Sequence, residues 1–443
     1  MHARNTKGFL KKSRFQGDFM NPLQKKFYQQ CSPEPLKSEE IGPLYQDLDE
    51  FRGSDDFVER IKQEILLDDT PICRIVSGHR GCGKSTELVR LKRELEKEGV
   101  YATIISSEKG IDRNDVDFPE ILLTILAELG RELEEELGIE LKTGYFKTRY
   151  KELKKFLGSD VAVKEIKLSK LGTGINLSIK SSPDARKAVR DVLNPDTSSL
   201  LNEANNLIRE ARKQILALEN GYTELVILVD DLDKIGGRII DGSPLYENLF
   251  LRREAQLTGF DVNIIYTVPC ELVYTSGSRL SPLYGQPLLS PMVKIRTRPP
   301  ESTIHQDGVN ALRELVIKRA QSAGCQEKDI NDIIKPEALE FLVDKSGGQT
   351  RELMSFIRVA CTYGFPIGLD EAKNAVRKST HTFERQMTTE KLDILKTVQK
   401  EGKLNITEDN KKLVAELLGD RSLLHYVNDE QWYAVNPLID LNG

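Results

Sequence analysis

The stretch SGHRGCGKSTEL, residues 77–88, decides how the rest of the chain is read. The residues before it, ICRIV at 72–76, are apolar and β-branched, as a buried strand requires. Those after it, TELVRLKRELEKEG at 86–99, space leucines helically among charges and stop at a glycine. Strand, glycine loop and helix follow in the order that gives a phosphate-loop pattern meaning. Gly78, Gly83, Lys84 and Ser85 satisfy G-x-x-x-x-G-K-[ST], with Gly81 as a third glycine. Glycines here admit positive φ and let backbone amides converge on an anion, and the following helix adds the positive end of its dipole. His79, Arg80, Cys82 and Thr86 complete the expected cradle for a nucleotide, with Lys84 reaching the β- and γ-phosphates and Ser85 ligating Mg²⁺.

A chain of 443 residues suffices for two or three domains, and 39% apolar with 30% charged residues is a globular composition. No apolar run reaches the ~18 residues of a membrane span, so no membrane partner is expected. Residues 1–19 are basic but lack an apolar segment, so they read as a flexible arm rather than a secretory signal, with structure expected from near Met20. Six cysteines without a C-x-x-C pair and five scattered histidines suggest neither zinc nor a disulfide framework, which fits a cytoplasmic protein. The net charge of −5 gives no general electrostatic case for nucleic acid.

The fold class expected is α/β: a parallel sheet with helices on both faces, then a helical lid and a winged-helix-like C-terminal domain. Residues 1–40 are read as the arm and 41–300 as the core. The core carries an insertion at about 142–220, where AVKEIKLSKLGTGINLSIKSS suggests a hairpin between charged helices. Residues 301–382 form the lid and 383–443 the last unit. LVILVDD at 225–231 and VNIIYTVP at 262–269 read as strands buried on both faces, and VKIRTR at 293–298 as one more. LVILVDD delivers carboxylates at the strand end, where α/β sheets bind ligands. Asp230 is expected to hold Mg²⁺ with Ser85, and Asp231 to polarise the attacking water, or both roles shift toward Asp233.

This arrangement resembles the AAA+/STAND superfamily of P-loop ATPases, in particular its origin-recognition and replication-initiator branch. FRGSDD at 51–56 resembles the segment that helps form the adenine pocket, with Arg52 and Gly53 matching. Thr267 takes the sensor-1 position, and SGGQTRELM at 346–354 resembles the sensor-2 element, with Arg351 its arginine. The resemblance implies an ATP hydrolase with ATP and Mg²⁺ as cofactors, homo-oligomeric when ATP is bound and controlling a separate protein effector. Such proteins act in signalling and antiphage defence. Family members place Glu after the metal-binding Asp; the shorter Asp231 implies slow turnover. Arg252, Arg253, Arg279, Arg296 and Arg298 are all candidates for an arginine supplied in trans.

Residues 383–443 carry eight Lys/Arg against eleven Asp/Glu, a net −3, and the turn Asn428-Asp429-Glu430 is acidic. A DNA reader needs a basic face, so Trp432 and Tyr433 read as packing or protein-contact residues. DNA binding by an initiator- or loader-like ATPase remains the alternative. A small-molecule kinase would be more compact, and a GTPase would show an [NT]-K-x-D element after the sheet.

Overall fold

The computed structural model describes residues 21–53, 56–141, 180–427 and 430–441. Its centre is a parallel sheet of β1 (Cys73–Ser77), β2 (Val100–Ser106), β3 (Glu224–Asp230), β4 (Asn263–Val268) and β5 (Leu288–Leu289), ordered β2-β3-β4-β1-β5. The strands read as unbroken apolar runs because both sheet faces are covered, and alternate side chains go to opposite layers. Val226 and Leu228 join one core and Leu225, Ile227 and Val229 the other. The sheet order places β1 beside β4, with Ser77 opposite Val268, so the loop after β1 starts next to the end of β4.

Helix α1 (Pro22–Gln30) lies outside this layer; α2 (Phe57–Leu67) and α3 (Lys84–Lys97) cover one face. They contribute Phe57, Ile61 and Ile65, and Leu88, Leu91 and Leu95, at helical spacing. The other face takes α4 (Phe118–Leu137) and, from the insertion, α5 (Pro183–Leu193) and α6 (Thr197–Leu216). Helix α4 starts in an Asp117/Glu120 capping box and stops at Gly138, in the left-handed conformation at φ 67°. The hairpin expected within the insertion lies almost wholly outside the described residues.

After α7 (Cys270–Tyr284) and β5 comes the lid: α8 (Gln306–Ser322), α9 (Pro336–Ser346), α10 (Thr350–Tyr363) and α11 (Leu369–Gln386). The C-terminal unit is α12 (Thr389–Glu401), α13 (Lys411–Gly419) and the hairpin β6 (Leu423–Val427) with β7 (Gln431–Val435). Tyr426 and Trp432 stack across that hairpin, ring centroids 4.4 Å apart.

Two expectations need correction. Residues 21–40 are not a free arm: α1 buries Phe27 and Cys31 follows it into the lid core, while Arg358 of α10 sits 4.2 Å over the Tyr28 ring. Residues 293–298 do not form a strand. Their backbone groups are taken up elsewhere: Val293 N–H donates to Gly348, Lys294 N–H to Phe51, and Arg296 makes only an isolated bridge with Ile304. The fifth sheet position goes instead to Leu288–Leu289, too short to be read from periodicity.

Candidate nucleotide site

The loop from Gly78 to Gly83 joins β1 to α3 with its three glycines at positive φ: 156° at Gly78, 89° at Gly81 and 115° at Gly83. At Gly81 the requirement is twofold, since an added Cβ would also lie 2.9 Å from Cβ of Arg351. Lys84 opens α3, buried, and its ammonium is shared three ways. Nζ donates to the carbonyls of Gly78 (2.7 Å) and His79 (3.0 Å) and pairs with Asp233 Oδ2 at 2.8 Å. Burial, the largest single effect, disfavours the cation, but its neighbours together, the Asp233 carboxylate first among them, hold the lysine above its ordinary pKa.

Three carboxylates gather at the end of β3: Asp230, Asp231 and Asp233 offer oxygens within 4.8 Å of one another. Asp230 is buried, which raises its pKa to about 6. Repulsion from Asp231 and then Asp233 adds to the rise, and a hydrogen bond with Ser85 opposes it. Asp231 adopts a left-handed backbone, φ 70°, and its side chain is tied down: Ser106 Oγ donates to it at 2.5 Å and Lys234 pairs with it at 2.6 Å. Of the three, it is Asp233 that meets Lys84. This donor set suits a hard divalent cation, which takes oxygen ligands from one or two carboxylates and a hydroxyl. Thr267, next to last in β4, is fully buried, and its hydroxyl has no hydrogen-bond partner among the described residues.

The lid closes over the loop. Arg351 N–H and Thr350 Oγ1 both donate to the Gly81 carbonyl, each at 3.2 Å, and Arg351 Nε donates to Pro33 O. Between loop and lid lies a pocket open to solvent, lined by polar groups on one side and apolar groups on the other. Its polar wall includes Arg80, Gly81, Gly83, Lys84, Ser85, Thr86 and Asp233. Its apolar wall is Leu36, Leu44, Tyr45, Leu48, Leu315 and Met354, with Pro33 and Pro35. Segment 32–36 is a wall that the sequence did not announce. Pro33 and Pro35 mark it as non-helical, but nothing local says where it lies.

Arg52 lines the pocket yet is almost fully buried: Nη2 donates to the Cys82 carbonyl at 2.6 Å and Nη1 pairs with Glu87 at 3.3 Å. Glu87 also accepts from Tyr45 Oη and pairs with Arg90, so an acid on α3 fixes the loop's outer flank. Gly53 does not line the pocket; its left-handed backbone lets the Val427 carbonyl approach to where a Cβ would clash at 2.3 Å.

The loop's far side faces the C-terminal unit. His79 is buried and neutral, its pKa driven down to about 3 by burial, then by Lys84. Nδ1 contacts the Leu418 carbonyl at 3.2 Å, and the His425 N–H donates to Nε2 at 3.1 Å. That pattern fixes the proton on Nδ1. Cys82 packs with Met292, Leu424, Tyr426 and Trp432. Trp432 is 2% and Tyr433 9% exposed, so both are committed to packing. Among the arginines, Arg253 pairs with Asp117, Arg296 with Asp344 and Arg298 with Glu430, and Arg252 donates to Ser243 Oγ. Arg279 is exposed on α7.

No family model and no curated protein matches this chain. Among solved structures it is similar to the Aeropyrum pernix ORC1 protein in complex with DNA (TM-score 0.40, 12% identity, 89% of this chain and 91% of that one). It is also similar to the Aeropyrum pernix ORC2 protein in ADPNP–ADP complexes (TM-score 0.35, 14% identity, 87% and 89%). A third is CDC6P from Pyrobaculum aerophilum (TM-score 0.38, 10% identity, 91% and 95%). Likeness at this level leaves function to be read from the site. Among the described residues no helix is long and apolar enough to cross a membrane.

Proposed function

We propose that this chain binds ATP with Mg²⁺, hydrolyses it slowly, and works as a nucleotide-controlled switch or assembly factor. The observation that carries this reading is the Lys84–Asp233 pair inside the walled pocket. A buried ammonium at a glycine loop is held by an acid that a phosphate can replace. The loop amides and the start of α3 cradle the phosphates, and Lys84 leaves Asp233 for them. Ser85 and Asp230, already in contact, are the residues that would hold the cation; bound there, Mg²⁺ neutralises charge on the phosphate oxygens.

Lys84's departure frees Asp233 to orient water, while Asp231 serves that role only if it gives up Ser106 and Lys234. Slow turnover follows where Asp231 takes the role, since it must first give up these two partners. The unpartnered Thr267 hydroxyl supplies a sensor for the γ-phosphate or its water, and Arg351 reports its presence to the lid across Gly81. Assembly would supply an arginine in trans, with Arg252, Arg253, Arg279, Arg296 and Arg298 as its candidates. The effector, in this reading, is a separate protein, as in signalling and antiphage systems.

Titration calorimetry with Mg-ATP should give a one-to-one isotherm that Lys84→Ala abolishes. Light scattering after size exclusion should separate the apo, ADP and non-hydrolysable ATP states by mass or shape; three identical profiles would remove the switch. DNA binding by the C-terminal unit is disfavoured by the burial of Trp432 and Tyr433. Salt-sensitive binding of duplex DNA, mapped to residues 383–443, would reinstate it.

A further inference from the structure

Arg319, on lid helix α8, stands apart from the other buried arginines. It is 6% exposed and lines the pocket's apolar wall with Leu36, Leu44, Leu315 and Met354. Nη1 donates to the Gln30 carbonyl at 3.0 Å, and Nε is buried with no partner. Among the described residues no carboxylate oxygen lies within 4.0 Å of it. Arg52, by contrast, is buried to the same degree and pairs with Asp49 and Glu87. A guanidinium taken out of water with no carboxylate in ion-pair range is an unfavourable group; the more distant charge of Glu40 offsets burial only in part, and a buried group left unsatisfied in this way calls for an explanation. Neighbouring Cys31 offers no compensation, because burial keeps it a thiol.

The phosphate end of the pocket already has its cation in Lys84. The apolar wall matches in polarity the flat, apolar part of the nucleotide. We propose that Arg319 is the base-reading residue of this site, donating from its guanidinium to a ring-nitrogen or carbonyl acceptor on the edge of the nucleobase. The inference rests on the nucleotide reading of the pocket and deepens it. Leu36, Leu315 and Met354 hold the faces of the base, and Arg319 fixes its edge. The lid thereby contacts both ends of one ligand, through Arg319 and Arg351, so closure depends on a complete nucleotide rather than on phosphate alone.

Calorimetry on the full chain tests this with two probes, Mg-ATP and Mg-tripolyphosphate, on wild type, Arg319→Met and Arg319→Lys. Arg319→Met should weaken ATP by about 10- to 100-fold, the loss of a hydrogen bond from a charged donor in a dry site. Tripolyphosphate affinity should be unchanged, and Arg319→Lys should recover part of the ATP loss. The apo thermal midpoint of Arg319→Met should equal or exceed wild type, because an apolar side chain of similar size replaces an unpaired ion; a purely structural arginine would lower it. Unchanged ATP affinity, an equal loss for tripolyphosphate, or a fall in the apo midpoint overturns the proposal. Failure of wild type to bind either probe instead overturns the nucleotide reading beneath it.

Discussion

Replacing Asp233 by Asn tests whether the acid that holds Lys84 in the resting protein is a placeholder for phosphate. The pair is 2.8 Å long, with side chains 4% and 8% exposed. Removing one partner of such a buried pair costs about 3–5 kcal/mol, because the other charge stays behind. Lys84 keeps the Gly78 and His79 carbonyls and gains a neutral amide, so the lower end, about 3 kcal/mol, is expected. At ~2–4 °C per kcal/mol for a domain of this size, the apo midpoint of Asp233→Asn should fall by about 6–12 °C. Phosphates then supply the missing anion, so saturating Mg-ATP should remove at least about half of that deficit through mass-action stabilisation of the variant. Differential scanning calorimetry with and without nucleotide measures both quantities. An apo midpoint within about 1 °C of wild type, or a deficit that nucleotide leaves intact, would refute the displacement of Asp233 by phosphate.

Other consequences are equally direct. Asp230 titrates near 6 because burial, then Asp231 and Asp233, disfavour its charge; a cation must displace that proton. Mg-supported ATP binding should therefore weaken about fivefold from pH 6 to pH 5 and recover with added Mg²⁺, and a flat calorimetric profile would exclude Asp230 as ligand. The same raised pKa makes this acid's contribution to stability largest below its unfolded value of 3.8 and lost as pH rises through about 6. Thr267→Val removes a hydroxyl with no partner, so the apo midpoint should hold or rise while single-turnover hydrolysis slows by at least about tenfold. Trp432→Ala takes a buried ring from the Tyr426 stack and from beside Cys82, and should cost about 3–5 kcal/mol. Limited proteolysis should then cut the C-terminal unit before the core.

Much of the core could be read locally. A glycine loop between an apolar run and an amphipathic helix has few physical alternatives, and strands buried on both faces announce themselves by unbroken apolar runs. Asp230 followed from its place at the end of such a run. Residues 293–298 misled because apolar alternation reports burial, not which backbone partner is available; here Gly348 and Phe51 took the donors that a sheet neighbour would have used. The packing of residues 21–40 was illegible for a related reason: Phe27 and Cys31 are few apolar anchors in a polar stretch, and their partners lie in the lid.

The sequence by itself determined the glycine loop, the acids after β3 and the strand run that carries them, because each depends on residues close together along the chain. Only the tertiary structure decided that Asp233, not Asp231, meets Lys84, that His79 turns from the pocket to Leu418 and His425, and that Arg319 is left without an ion-pair partner among the described residues at the apolar wall. Those outcomes depend on groups brought together from distant parts of the chain. Their geometry is set by how sheet, lid and C-terminal unit pack, which no local pattern encodes.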